Sequence, residues 1–148
     1  MDETSLLIEA PAEALYDLVA DLPGMGRWSP ENTGGKWVGG ATSATVGAKF
    51  RGWNKHGPMR WFTTSTITKA DRPSQIEWEV KESSTRWGYR FAPEGNGTVV
   101  TEYREPYKKT NPAVKLFQKS GIIGRQREGL MVEGMKATLQ KLKAAAEK

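Results

Sequence analysis

The segment from residue 47 to residue 67, GAKFRGWNKHGPMRWFTTSTI, combines aromatic side chains with positive charge. Trp53 and Trp61 are interleaved with four cationic residues, which are Lys49, Arg51, Lys55 and Arg60. Because cations bind phosphate groups and aromatic rings stack on nucleobases, the segment could form a nucleic-acid surface. The same residues could instead form a pair of β-strands that lines an apolar cavity. The two interpretations differ in which side chains share a face.

Nucleophilic and metal chemistry are restricted by composition. The chain has no cysteine and one histidine, His56. Disulfides, thiolate ligands, cysteine catalysis and a multi-histidine metal site within one chain are therefore excluded. His56 precedes Gly57 and Pro58 in a predicted turn, which is a poor position for a packed catalytic base. The sequence predicts no metal and no cofactor, and it contains no catalytic signature.

The positive charge is concentrated at the C-terminal end. The net charge is +5, with ten Lys or Arg and three Asp or Glu from residue 108 onward. The first 107 residues hold 12 basic and 14 acidic side chains. A solvated helix face is the preferred interpretation, and a phosphate- or membrane-facing patch is the alternative. We expect no nucleic-acid partner and at most a weak contact with a membrane surface.

The length of 148 residues predicts a single domain over residues 1–148 with its own core. No run of about 18 apolar residues occurs, so no membrane-spanning helix is expected. The acidic N-terminal residues MDETSLLIEAP lack the pattern of a signal peptide. The predicted location is therefore the cytoplasm.

The hydrophobic pattern predicts the elements that must position these side chains. Residues 4–9 form a first strand, and a helix begins near Pro11 and ends before Pro23. Six segments with a period of two follow, the first over residues 35–42 and the last over 98–107. A C-terminal helix then presents one apolar stripe, formed by Met131, Met135, Leu139 and Leu142.

This order predicts an α+β fold in which a curved antiparallel sheet of about seven strands wraps around a long C-terminal helix. One helix cannot fill a curled sheet, so an internal cavity is expected. Four glycines between residues 121 and 134 leave the continuity of the helix open, with a break expected near Ser120 if there is one.

Strand alternation sorts the side chains onto two faces. It turns Trp53 outward with Lys49 and Arg51. For the strand 98–107 it slightly favours the face with Tyr103 over the face with Glu102. The aromatic walls and few polar groups of the inward set suit a small apolar ligand. The predicted inward residues include Phe50, Asn54, Trp61, Thr63, Ser65, Ile76, Trp78, Val80, Trp87 and Tyr89. On the strand 75–82, the inward residues oppose Glu77, Glu79 and Lys81, which are predicted to face outward.

Six motifs, in order, resemble the polyketide cyclase/dehydrase-like branch of the START-related superfamily, in particular its small single-domain actinobacterial members. They are PAEALYDLVADLPGMGRWSPE, GAKFRGWNK, RWFTTSTI, RWGYRF, GTVVTEYRE and GMKATLQKLK. The resemblance spans nearly the whole chain. It implies the helix-grip fold and the binding of lipids, sterols or polyketides, and some members cyclise or dehydrate aromatic polyketides.

The resemblance also marks residues at the cavity or its mouth, and it turns Glu102 inward. These residues are Trp28, Glu31, Asn54, Trp61, Tyr89 and Glu102. Glu102 and Glu31 are the catalytic candidates, since burial raises the pKa of a carboxyl group toward a value useful for proton transfer. Met131 and Met135 are either ordinary core or a flexible pocket wall. Members with cyclase activity tend to use an inward histidine, arginine or tyrosine, and His56 does not fit that role.

The leading hypothesis is a protein that binds or transports a small hydrophobic ligand, lipid-like or similar to an aromatic polyketide. The second is a cyclase or dehydratase that uses Glu102 or Glu31. The third is nucleic-acid or partner binding through the basic C-terminal segment. The sequence identifies neither the ligand nor the oligomeric state.

Overall fold

The computed structural model describes residues 2–28, 32–107 and 122–147, with side chains in the last range described from residue 133 onward. Glu31, Ser120 and the side chain of Met131 lie outside this description. Two α-helices and a short 3-10 helix are present among the described residues: α1 (Ala12–Ala20), the 3-10 helix Leu22–Arg27 and α2 (Ile122–Ala146). Helix α2 is continuous between its ends, so its internal glycines do not break it.

Seven strands form one antiparallel sheet, in the order β1-β7-β6-β5-β4-β3-β2. The prediction of a curved antiparallel sheet of about seven strands with a C-terminal helix is confirmed. The strands are β1 (Asp2–Ile8), β2 (Asn32–Val38), β3 (Lys49–His56), β4 (Met59–Asp71), β5 (Gln75–Val80), β6 (Thr85–Glu94) and β7 (Gly97–Pro106).

The prediction for the second strand, residues 35–42, was wrong at its C-terminal end. Strand β2 ends at Val38 because Gly39 and Gly40 follow with φ of +65° and +83°. These angles belong to the left-handed region, which glycine adopts without steric cost and a strand does not use. The chain therefore leaves the sheet four residues earlier than the alternation predicted.

The core lies where both α-helices meet the concave face. Helix α1 follows Pro11 and buries Leu15 and Val19 at helical spacing, and it packs on β5 and β6. Helix α2 packs on α1, β1 and β7 and buries Leu139 and Leu142. Burial of side chains of this size contributes about 1.5–3 kcal/mol each. This packing fixes the C-terminal half of α2 across one end of the sheet.

The ambiguous strand β7 turns Val100 and Glu102 to the concave face, where both are buried. The slight preference of the alternation for the other face was wrong. That preference arose because Tyr103, which points to the convex face, is also buried at 2% exposure. Alternation identifies the inward face only when one face of a strand is solvated, and β7 is covered on both.

Candidate functional site

A pocket of about 620 Å³ lies between the concave face of the sheet and α2. Strands β2 to β7 contribute its sheet side, and residues 133–138 contribute part of its helix side. The lining contains these residues that the sequence analysis placed at a cavity: Phe50, Asn54, Trp61, Thr63, Ser65, Trp78, Val80, Trp87, Tyr89, Glu102 and Met135.

Aromatic rings form much of the wall. The rings of Trp78 and Tyr89 lie 5.9 Å apart between centroids and are tilted by 31°. Tyr89 in turn stacks on Phe91, and Phe50 meets Trp37 edge-on at 5.4 Å. Ring pairs of this kind add about 0.5–1.5 kcal/mol beyond their area burial, so the wall is held in place without a ligand.

A small cluster of polar side chains lies near the β3–β4 turn. The register pairs Asn54 with Trp61 and Gly52 with Thr63. The Asn54 amide Nδ2 donates to Thr63 Oγ1 over 3.4 Å. These side chains share the concave face because they occupy alternate positions on neighbouring strands. They provide hydrogen-bonding atoms at one side of an otherwise apolar wall.

Tyr89 and Glu102 form a second cluster of polar side chains, which is buried on β6 and β7. They are direct partners in the β6–β7 register, and the Tyr89 hydroxyl donates to Glu102 Oε2 over 2.6 Å. Glu102 is 4% exposed. Its other oxygen, Oε1, is buried and has no hydrogen-bond partner among the described residues. An atom of this kind is a candidate contact for a bound molecule.

Burial dominates the electrostatics of this pair. Desolvation raises the pKa of Glu102 to about 8, although the hydrogen bond from Tyr89 opposes the shift. The pKa of Tyr89 is raised well above its usual value by desolvation and by the neighbouring carboxyl. At neutral pH the Glu102 carboxyl therefore holds its proton. It can donate a hydrogen bond to a ligand oxygen, and near pH 8 it can exchange that proton.

Other residues singled out from the sequence lie elsewhere. Trp28 is 2% exposed and packs in the core, outside the lining of the pocket, where the Arg27 guanidinium lies 4.3 Å from its ring centroid. Trp53 is on the convex face, as predicted, and is 41% exposed. His56 is exposed to solvent and lies at the edge of the pocket.

The sequence interpretation missed several polar lining residues, among them Asn32 and Thr138. Thr138 follows Met135 by three positions, so the helical stripe contained the signal that places it on the same face. Its hydroxyl donates to the Gly134 carbonyl. Asn32 opens β2 and accepts from the Gly34 amide. No periodic pattern in the sequence singles it out.

Within the described ranges, no three His, Asp or Glu side chains come together in a group that could hold a metal ion. The same ranges contain no helix of the length and apolarity needed to span a membrane.

The curved antiparallel sheet, the C-terminal helix and the pocket between them define a protein of the helix-grip class. Residues 3–147 match the model of one family, described as polyketide cyclase / dehydrase and lipid transport. The chain belongs to this family. A search of curated proteins finds no match.

Solved structures share the fold. A polyketide cyclase-like protein of Corynebacterium glutamicum is 28% identical, with a TM-score of 0.58 over 98% of this chain and 88% of that one. The ginseng major latex-like protein 151 of Panax ginseng is 11% identical, with a TM-score of 0.68 over 98% and 95%. The di-domain ARO/CYC BexL, from the BE-7585A biosynthetic pathway, is 18% identical with a TM-score of 0.72. This match covers 99% of the present chain and 50% of BexL.

Proposed function

We propose that the protein binds a small hydrophobic molecule in the pocket, which serves as the internal cavity of the helix grip, and carries it. The observation that carries the proposal is the buried carboxyl of Glu102 in an aromatic pocket of about 620 Å³, with one oxygen that has no hydrogen-bond partner among the described residues. Ligand sites typically have this size and combine apolar walls with few polar anchors. The family description, which joins polyketide chemistry with lipid transport, supports the same class of ligand.

The aromatic side chains supply the affinity in this proposal. Phe50, Trp61, Trp78 and Trp87 line the pocket, and apolar area removed from water contributes roughly 25 cal/mol per Å². A ligand with flat rings or an alkyl chain would gain most from these walls. Met135 would adapt the helix side to the ligand, since thioether side chains pack flexibly.

The polar groups orient the ligand. Protonated Glu102 would donate to a carbonyl or hydroxyl oxygen, and Tyr89 would hold the carboxyl in place for that contact. Asn54 and Thr63 would receive a second polar group near the β3–β4 turn. A lipid-like molecule or an aromatic polyketide with one or two oxygens fits this arrangement. The description of BexL as an ARO/CYC favours the aromatic alternative.

The test is native mass spectrometry of protein purified without delipidation, followed by a tryptophan-fluorescence screen of fatty acids and aromatic polyketides. We expect a co-purified hydrophobic molecule and quenching on titration. Trp78→Ala should weaken binding at least tenfold, since it removes a buried part of the wall. The matched control Phe62→Ala, on the convex face, should leave it unchanged. Equal affinity in both variants would contradict the proposal.

A second candidate function is a cyclase or dehydratase in which Glu102 transfers a proton. The raised pKa of Glu102, about 8, favours it, because general acid–base catalysis is most effective when the pKa lies near the working pH. Glu102→Gln keeps the shape of the side chain and removes the proton transfer. The enzyme hypothesis requires turnover of an aromatic polyketide to be lost in this variant while its binding survives. Binding without turnover in the wild type supports the carrier.

A further inference from the structure

Strands β2 and β3, and β4 up to its last residue Asp71, carry charged side chains of one sign only. Between Glu31 and Asp71 the chain has no acidic residue and six basic ones. The net charge of the first 107 residues does not show this positive segment, because acidic residues elsewhere cancel its charge. The six are Lys36, Lys49, Arg51, Lys55, Arg60 and Lys69.

Alternation and register place most of this charge on the convex face. Arg51 and Lys55 flank Trp53 on β3, on the face opposite the pocket residue Asn54, and Lys55 pairs with Arg60 on β4. Of the six basic residues, only Lys69 has an ion pair within the described residues, with Glu77 at 4.0 Å. The unpaired cations are exposed to solvent.

Large apolar side chains are exposed among these cations. Trp53 and Phe62 are direct cross-strand partners and are 41% and 52% exposed. Met59, where β4 begins after the turn, is 58% exposed. A groove of about 500 Å³ runs beside them. We call this surface the hairpin patch: Lys49, Arg51, Trp53, Lys55, Met59, Arg60 and Phe62.

The hairpin patch lies next to the pocket. Lys55, His56 and Gly57 at the turn line the pocket, and Trp61 lines both the pocket and the groove beside the patch. One hairpin therefore forms part of the pocket with its concave side and the hairpin patch with its convex side.

We propose that the hairpin patch docks the protein on an anionic lipid bilayer, with Trp53, Met59 and Phe62 in the headgroup region. Aromatic side chains favour this interface, and unpaired cations beside them are attracted to anionic headgroups. Docking here brings the turn at the edge of the pocket to the bilayer. The docking step is separable from the proposed ligand binding, because every side chain of the hairpin patch except Lys55 lies outside the lining of the pocket.

The geometry favours a bilayer over a single-stranded nucleic acid. The Arg51 guanidinium lies 5.2 Å from the Phe62 ring centroid, so one face of this ring is already covered. A base needs an open ring face for stacking, whereas insertion into headgroups needs an apolar edge. Met59 at the tip serves insertion and offers no ring for stacking.

The experiment is vesicle co-sedimentation of the full chain with phosphatidylcholine alone and with phosphatidylcholine and phosphatidylserine at a ratio of about 7:3. We expect the wild type to bind only the anionic vesicles, and less at about 0.3 M than at about 0.05 M NaCl, since salt screens exposed charges. Wild-type protein that binds neither kind of vesicle overturns the proposal.

Two charge-matched double variants separate a local patch from net charge. Arg51→Glu with Arg60→Glu should weaken binding at least 25-fold, because each cation near an anionic surface contributes roughly a fivefold change. Lys81→Glu with Lys141→Glu, at exposed positions outside the hairpin patch, should change it about threefold or less. Equal losses in the two double variants would mean that net charge alone attracts the protein, and would overturn the proposal.

Two further measurements complete the test. Trp53→Ser with Phe62→Ser should lose the binding that survives high salt, and retained binding would contradict insertion. Tighter binding of an oligo(dT) strand than of vesicles, lost in the Arg51→Glu, Arg60→Glu variant, would assign the hairpin patch to nucleic acid instead. Ligand titration without vesicles should be unchanged in all these variants, so failure of docking and failure of the proposed function are distinguishable.

Discussion

Two tyrosine–carboxyl pairs are buried on opposite faces of the same strands. On the concave face, Tyr89 of β6 donates to Glu102 of β7. On the convex face, Tyr103 of β7 reaches across Gly88 of β6 and donates to Glu77 of β5. The register explains both, since Tyr89 lies directly opposite Glu102, whereas glycine leaves room for the Tyr103 ring to cross β6.

The two carboxyl groups differ in their surroundings. Glu77 also accepts from Thr68 over 3.0 Å and lies 3.2 Å from Arg86 Nε, and Gln75 donates to the Tyr103 hydroxyl. Among the described residues, Glu102 has a hydrogen bond from Tyr89 only, and its Oε1 has no hydrogen-bond partner. A buried carboxyl with several donors stabilises the native state, whereas one with a free oxygen beside a pocket is available to a ligand. From this difference we infer a structural role for the convex pair and propose a ligand contact for the concave pair.

The largest expected effect is that of Tyr103→Ala, which should lower the free energy of unfolding by about 4 kcal/mol. The ring fills the space above Gly88, where an added Cβ would lie 2.3 Å from it, and its hydroxyl partners the buried Glu77. Urea denaturation followed by circular dichroism measures the change. A loss below about 1 kcal/mol would mean that the convex pair is not structural.

The next largest effect is on the pH dependence of stability, which should distinguish Glu102 from Glu77. Between pH 4.5 and about 8, native Glu102 holds a proton that the unfolded chain releases. Stability therefore falls as pH rises through this window, by up to about 1.4 kcal/mol per pH unit from this group. Glu102→Gln should remove that component of the slope.

Urea denaturation at several pH values in this window measures both slopes. Glu77→Gln is the matched control, because it changes the other buried carboxyl and should keep the Glu102 component. Parallel curves for wild type and Glu102→Gln would show that Glu102 is ionised in the native state.

A smaller effect follows from removing each hydroxyl. Tyr103→Phe should cost about 1 kcal/mol, because Glu77 keeps its other donors. Tyr89→Phe removes the hydrogen bond that lowers the pKa of Glu102, so that pKa should rise further. The contribution of Glu102 to the pH slope should then extend to higher pH. It is measured as the difference between the Tyr89→Phe variant and the same variant with Glu102→Gln added. An unchanged upper limit would contradict the electrostatic role of Tyr89.

These pairs also show what the sequence could predict. Alternation identified the concave set on β5, because Ile76, Trp78 and Val80 oppose charged residues. It turned Glu77 toward solvent and missed its burial, since the partners that cover it come from β4, β6 and β7. Alternation reports one strand at a time, whereas a side-chain cluster across strands depends on register. Register follows from turns and pairing, which a single sequence specifies only in part.

Trp28 illustrates a second limit. An aromatic residue in an irregular loop fits either a pocket mouth or the core, and only packing decides between them. The structure places it in the core. The positive charge of the β2–β4 half could be seen in the sequence, but only when charges were counted over a segment as long as three strands. The fold was therefore predictable from periodicity and motif order, while the detailed site required the sheet.

The smallest expected effect is that of Phe62→Ala, the counterpart of Tyr103→Ala on the other half of the convex face. Phe62 is 52% exposed and its described ring contact is with Arg51, which contributes about 0.5–1 kcal/mol at an exposed site. Since the native state covers only about half of the ring, little further burial is lost, and stability should fall by less than about 1 kcal/mol. Urea denaturation beside Tyr103→Ala makes the comparison direct. A loss above about 1.5 kcal/mol would show that Phe62 is part of the packing that holds the sheet, and a ring needed for folding would not be free to insert between lipid headgroups.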